Sequence, residues 1–102
     1  MRELLPRKLV AILYADVAGY SRLTGEDEDA THRALTEYLD FISHSIESHN
    51  GKIMHYAGDA VLASFDAVVN ALSAAVTIQN EIKIRNENVP NDSRIQFRIG
   101  VN

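Results

Sequence analysis

The chain has 102 residues, 46% of them hydrophobic and 24% charged, enough for one domain with a single core and too short for two. Ten basic against fourteen acidic residues leave a formal charge of -4, which argues against a nucleic-acid partner because phosphate backbones select basic surfaces. With no cysteine, disulfides, thiolate catalysis and cysteine-ligated zinc are excluded, and a cytoplasmic location is expected. The apolar run from Leu9 to Ala15 is too short to span a bilayer and makes a poor signal peptide, so no membrane segment is expected.

Residues 1–8 mix charges with Pro6 and read as a lead-in or linker, leaving 9–102 as the folded part. LVAILYA is a continuous β-prone run that fits a strand buried centrally in a sheet, ended by Asp-Val-Ala-Gly. Leu35, Tyr38, Leu39, Ile42 and Ile46 then recur at the spacing of one helical stripe. The acidic residues Glu26 to Asp29 suit that helix's positive N-terminal end, and His49-Asn50-Gly51 should stop it with left-handed conformations. KIMHY and AVLASF flank Ala57-Gly58-Asp59, the pattern of a hairpin with Asp59 at or beside its tip. Asp66 reads as the N-cap of a second helix with Val68, Leu72, Ala75, Val76 and Ile82 at helical spacing, ended by Asn86, Asn88, Pro90 and Asn91. RIQFRIGV alternates, Ile95, Phe97, Ile99 and Val101 against Arg94, Gln96 and Arg98, as a half-buried strand does. The order β-α-β-β-α-β predicts an α+β, ferredoxin-like antiparallel sheet of four strands with both helices on one face.

In that arrangement the first strand lies beside a strand of the central hairpin, so Asp16 and Asp59 can converge at one end of the sheet. Paired carboxylates suit hard divalent cations, which take oxygen ligands and share them with substrate phosphates. An aspartate ending a strand and another in a turn are also common structural residues, and spacing alone favours that plainer reading. Val-Ala-Gly-Tyr-Ser after Asp16 is a small-residue bend whose amides could cradle phosphate oxygens. Neither a Walker A motif nor G-x-G-x-x-G is present. His32, His44 and His49 have no partner at ligand spacing and read as helix-surface residues. The GEDED run lacks the twelve-residue calcium loop, and Tyr38 and Phe41 read as core or dimer contacts.

Three stretches, LYADVAGYSRLTGEDEDAT, HNGKIMHYAGDAVLASF and FRIGVN, resemble the signature of class III adenylate/guanylate cyclase catalytic domains, in the same order and spacing. The resemblance covers nearly everything from Leu9 onward and implies the N-terminal part of such a domain, a partial nucleotide cyclase palm. It implies Asp16 and Asp59 as catalytic metal ligands, with the main-chain carbonyl of Val17 as a further ligand, for two Mg2+ or Mn2+ ions. It places the amides of Ala18, Gly19, Tyr20 and Ser21, together with Gly58, near the nucleotide phosphates. The implied reaction turns ATP, or less readily GTP, into a 3′,5′-cyclic nucleotide and pyrophosphate, in a homodimer when the domain is complete.

Two departures from the family pattern bear on this. Adenylate cyclases usually carry a base-selecting lysine four residues before the hairpin aspartate, and here that position is His55. A histidine can donate one hydrogen bond to a base edge but lacks lysine's permanent charge, and a strand residue facing solvent is the plain alternative. The family also continues beyond the position of Asn102, where a second base-selecting residue and an asparagine and arginine serving the transition state are expected, so this chain alone is expected to turn over little substrate. The competing readings are a non-catalytic nucleotide-binding or dimerisation module with the same fold, and a diguanylate-cyclase or polymerase-like palm. The last is disfavoured by the hairpin A-G-D-A, which is not G-G-D-E-F.

Overall fold

The computed structural model describes residues 10–18, 28–89 and 94–102. In chain order it contains β1 (Ala11–Ala18), α1 (Glu28–Ser48), β2 (Gly51–Ala57), β3 (Ala60–Phe65), α2 (Val68–Asn86) and β4 (Gln96–Val101). The strands form one antiparallel sheet in the order β2-β3-β1-β4, the ferredoxin-like arrangement expected from the sequence. Among the described residues no helix is long and apolar enough to cross a membrane.

Both helices cover the same face of the sheet. Leu13, Ala15 and Val17 of β1, Val61, Ala63 and Phe65 of β3, and Ile95 and Phe97 beside and in β4 pack there against Leu35, Tyr38, Ile42 and Ile46 of α1 and Ala71, Ala74, Ile78 and Ile82 of α2. Each large aliphatic side chain fully withdrawn from water contributes roughly 1.5–3 kcal/mol, so this single layer supplies most of the driving force. β1 is central, as its apolar run predicts, but it is buried on one face only. Tyr14, 46% exposed, lies on the opposite, uncovered face, and the alternation of buried and open residues along the strand follows from the two-residue pleat.

Several local expectations need correction. The N-cap of α2 is Ala67, without a side-chain cap hydrogen bond, and Asp66 stands one residue earlier. The α2 stripe that faces the sheet is Ala71, Ala74, Ile78, Ile82 and Asn86, whereas Val68, Leu72 and Val76 point outward and are more than half exposed. The helix carries apolar residues on two faces, and the small alanines occupy the face turned to the sheet. Asn50 adopts the left-handed conformation after α1, with φ 67°, and Gly51 does not. Gly51 is needed instead for space, because a Cβ there would meet Ile46 and Phe65 at 2.6 Å. Glu26 lies outside the described residues, and α1 begins at Glu28.

The hairpin between β2 and β3 closes with Ala57 opposite Ala60, leaving Gly58 and Asp59 as its two central residues. Gly58 has φ 58°, and an aspartate with negative φ follows, which suits a turn with glycine at its first central position. A Cβ at Gly58 would meet nothing within 4 Å, so only the backbone conformation opposes substitution. Gly58→Ala is therefore expected to cost about 1 kcal/mol, the left-handed penalty of an L-residue, measurable as a lower urea midpoint with an unchanged slope.

A buried polar cluster ties the helices to β4. The Tyr38 hydroxyl donates to Asn86 Oδ1 at 2.9 Å, and Asn86 Nδ2 donates to the Ile95 carbonyl at 2.9 Å. Burial pushes the Tyr38 phenol above its ordinary pKa, with Arg85 opposing and Glu37 adding to the shift. Tyr38 also stacks on Phe97, with ring centroids 6.2 Å apart, and meets Phe41 edge-on at 6.0 Å.

Candidate active site

The uncovered sheet face is organised in cross-strand rows, because directly paired residues of an antiparallel sheet share a face. Tyr14 pairs with Leu62 on one side and Gly100 on the other, and Leu62 pairs in turn with His55. In the next row Asp16 lies between Ala60 and Arg98. Asp16 thus sits inside β1 rather than beyond its end, one row from Tyr14 and His55.

Asp59 precedes Ala60, the strand partner of Asp16, and its carbonyl accepts a hydrogen bond from the Val17 N–H at 3.3 Å. That bond extends the β1–β3 ladder into the hairpin turn and brings the two aspartate positions together. Both carboxylates act on the same neighbours. The Tyr14 phenol is raised above its ordinary pKa first by lost hydration, then by the neighbouring Asp16 carboxylate and further by Asp59, with Arg98 opposing the shift.

Arg98 makes a two-point contact in the site. Its Nε and Nη2 donate to Asp16 Oδ1 and Oδ2, each at 3.0 Å, the planar fork that matches guanidinium to carboxylate. That bond and the Asp16 charge raise the Arg98 pKa still higher, with Asp59 adding to it, so the guanidinium stays charged. The Asp16 side chain is 16% exposed and that of Arg98 72% exposed.

Sequence and structure comparisons bear on what this arrangement is. No protein-family model matches the chain. A protein of Rhizobium meliloti (strain 1021) named "Putative adenylate cyclase 3" is 37% identical over 102 residues, which is 99% of this chain and 17% of that protein. The crystal structure of an adenylate/guanylate cyclase/hydrolase from Silicibacter pomeroyi matches with 41% identity and a TM-score of 0.79, over 91% of this chain and 55% of that one. The chain is a homologue of adenylate/guanylate cyclases and matches class III catalytic domains along nearly its whole length. A bacterial light-regulated adenylyl cyclase, at 22% identity and TM-score 0.81, shares the fold over 90% of this chain and 51% of its own. The chain therefore spans about half the length of these solved cyclases, and about a sixth of the curated relative.

Set on this cyclase fold, the residues singled out from the sequence fall into four groups. Asp16, Val17, Gly58 and Asp59 lie together where β1 meets the hairpin turn, with Ala18, the last residue of β1, opposite Gln96. His55 is exposed on edge strand β2, on the same face as Asp16 but separated from Tyr14 by Leu62. Gly19, Tyr20 and Ser21 lie outside the described residues. His32 and His44 are exposed on α1, and His49 lies in the turn that follows, its Nδ1 2.7 Å from the Ser45 carbonyl.

Two residues of this constellation were not evident from the sequence, Tyr14 and Arg98. Tyr14 stands two positions before Asp16, and so on the same face of a strand. That signal was available but was masked by reading β1 as buried on both faces. Arg98 lies on the polar side of β4 in the alternation, yet its pairing with Asp16 depends on the β1–β4 register, which alternation alone does not supply.

Proposed function

We propose that this chain supplies the metal- and phosphate-binding part of a nucleotide cyclase site that converts ATP, or less readily GTP, to a 3′,5′-cyclic nucleotide and pyrophosphate. The observation that carries this reading is the meeting of Asp16 and Asp59 where β1 joins the β2–β3 turn. Among the described residues no group of three or more His, Asp or Glu is positioned to hold a metal ion, and the protein would offer two carboxylates and the Val17 carbonyl, with the remaining positions taken by water and phosphate. That is the donor set Mg2+ and Mn2+ accept. The fit has a second support, since the two Asp16 oxygens already hold a cation, the Arg98 guanidinium.

Asp16, Asp59 and the Val17 carbonyl would hold two divalent ions. Those ions, when bound, would neutralise phosphate charge and make the 3′-hydroxyl more acidic. Amides of Ala18 to Ser21 and Gly58 would orient the triphosphate, because backbone N–H groups suit anionic oxygens. In the reaction the 3′-oxygen forms a bond to the α-phosphorus, the bond from that phosphorus to the bridging oxygen breaks, and pyrophosphate leaves with its electron pair. The hydroxyl proton passes to solvent. His55 would meet the base edge with a single hydrogen bond. Efficient turnover is proposed to require the remainder of the domain and a second copy of it, because groups aimed at the transition state contribute orders of magnitude in rate.

The test is calorimetric titration of the full-length protein with a non-hydrolysable ATP analogue and Mn2+, beside Asp16→Asn and Asp59→Asn. Each substitution is expected to weaken binding by at least about tenfold. Unchanged affinity in both variants would remove the carboxylates from the site. Incubation with ATP and with GTP then separates the catalytic reading from its alternative, since a non-catalytic nucleotide-binding or dimerisation module binds nucleotide but releases no cyclic product.

A further inference from the structure

The fork between Arg98 and Asp16 admits two roles. As a structural brace it would tie β4 to β1, but those strands are already paired along six residues of each, from Leu13 opposite Val101 to Ala18 opposite Gln96. An ion pair with one partner 72% exposed adds little to such a ladder, because solvent and salt screen it. Its geometry is informative in another respect. A carboxylate offers a limited number of lone-pair positions, and the guanidinium engages both Asp16 oxygens at 3.0 Å. The fork takes about two of the roughly four positions and offsets the carboxylate's charge, so a second cation has to compete with it.

We propose that Arg98 is an internal counter-ion of Asp16, which competes with a divalent cation for that carboxylate. The inference rests on the metal-binding reading of Asp16 and Asp59 given above. Three features make the exchange feasible. Arg98 lies on β4, an edge strand, so its side chain has solvent to move into. It regains hydration on release, because it is largely exposed already. Asp16 is the less exposed partner, and a divalent ion brings twice the charge to a site that also feels Asp59. The guanidinium thus offsets the charge of Asp16 and lowers its apparent metal affinity, so that weakly held cations are discriminated against.

The experiment follows Mn2+ binding to the full-length protein by electron paramagnetic resonance of the free ion, without nucleotide, for the wild type, Arg98→Gln and Asp16→Asn. Melting temperature with and without Mn2+ serves as the second readout. Arg98→Gln is expected to bind Mn2+ about two- to fivefold more tightly, the upper part of the range for loss of a competing exposed ion pair, and to show a larger Mn2+-induced rise in melting temperature. Equal or weaker binding by Arg98→Gln, with wild-type binding that Asp16→Asn abolishes, overturns the counter-ion role and leaves the metal site standing. No binding by either the wild type or Arg98→Gln overturns the metal reading and this inference with it.

Discussion

Asn86→Ala is expected to destabilise the protein by about 3–4 kcal/mol, a large part of the roughly 5–15 kcal/mol that holds a domain together. Asn86 is 7% exposed at the last position of α2 and serves two partners, accepting from the Tyr38 hydroxyl and donating to the Ile95 carbonyl. Alanine would leave both groups buried without a partner, at about 1–3 kcal/mol each, and would open a small void beneath the Tyr38 and Phe97 rings. Urea unfolding should show a lower midpoint with an unchanged slope. A double-mutant cycle with Tyr38→Phe tests the assignment: once Asn86 is gone, removing the hydroxyl should cost less than it does in the wild type, since its partner is already lost. Equal costs in both backgrounds would show that the pair is not coupled. The cluster matters to the site because Ile95 leads directly into β4, which carries Arg98.

Gly51→Ala is the second large effect. The added Cβ would lie 2.6 Å from Ile46 Cγ2 and from Phe65 Cε2 and Cζ, and both side chains are among the most buried in the core. Neither can withdraw without disturbing the packing around it, as interiors are close-packed. The expected cost is about 1–3 kcal/mol from overpacking, seen as a fall in melting temperature of roughly 5–15 °C for a domain of this size. A companion change, Phe65→Leu, should recover part of the loss if the ring is the obstacle. If Gly51→Ala alone melts with the wild type, the close approach of β2 to α1 is wrong. This glycine contrasts with Gly58, where space is free and only φ resists substitution.

Much of the fold was legible because its signals are local. The apolar run of β1, the Leu35 to Ile46 stripe of α1 and the alternation of β4 each reflect one element's periodicity against one buried face, and the positive φ of Gly58 matches its place between two β-type runs. The stripe of α2 was not legible for a definite reason. VVNALSAAVTIQNEIKIRN carries apolar residues on two faces, one through Val68, Leu72 and Val76 and one through Ala71, Ala74, Ile78 and Ile82. Periodicity identifies both and chooses neither. Small side chains at Ala71 and Ala74 sit against the sheet, and the bulkier valines face out.

The candidate site divides along the same line. Asp16 and Asp59 could be named from the sequence, since an aspartate after an apolar strand and another in a glycine turn are local patterns, and the split βαβ order brings those two places together. The chemistry around them was decided by register. That Asp16 stands opposite Arg98, that Tyr14 shares its face, and that His55 is set off from Tyr14 by Leu62 all follow from which residue pairs with which across three strands. A slip of one residue would turn every one of these side chains to the other face. Register is enforced by burial of the helix-facing residues over the whole sheet, a long-range property that only the tertiary structure specifies.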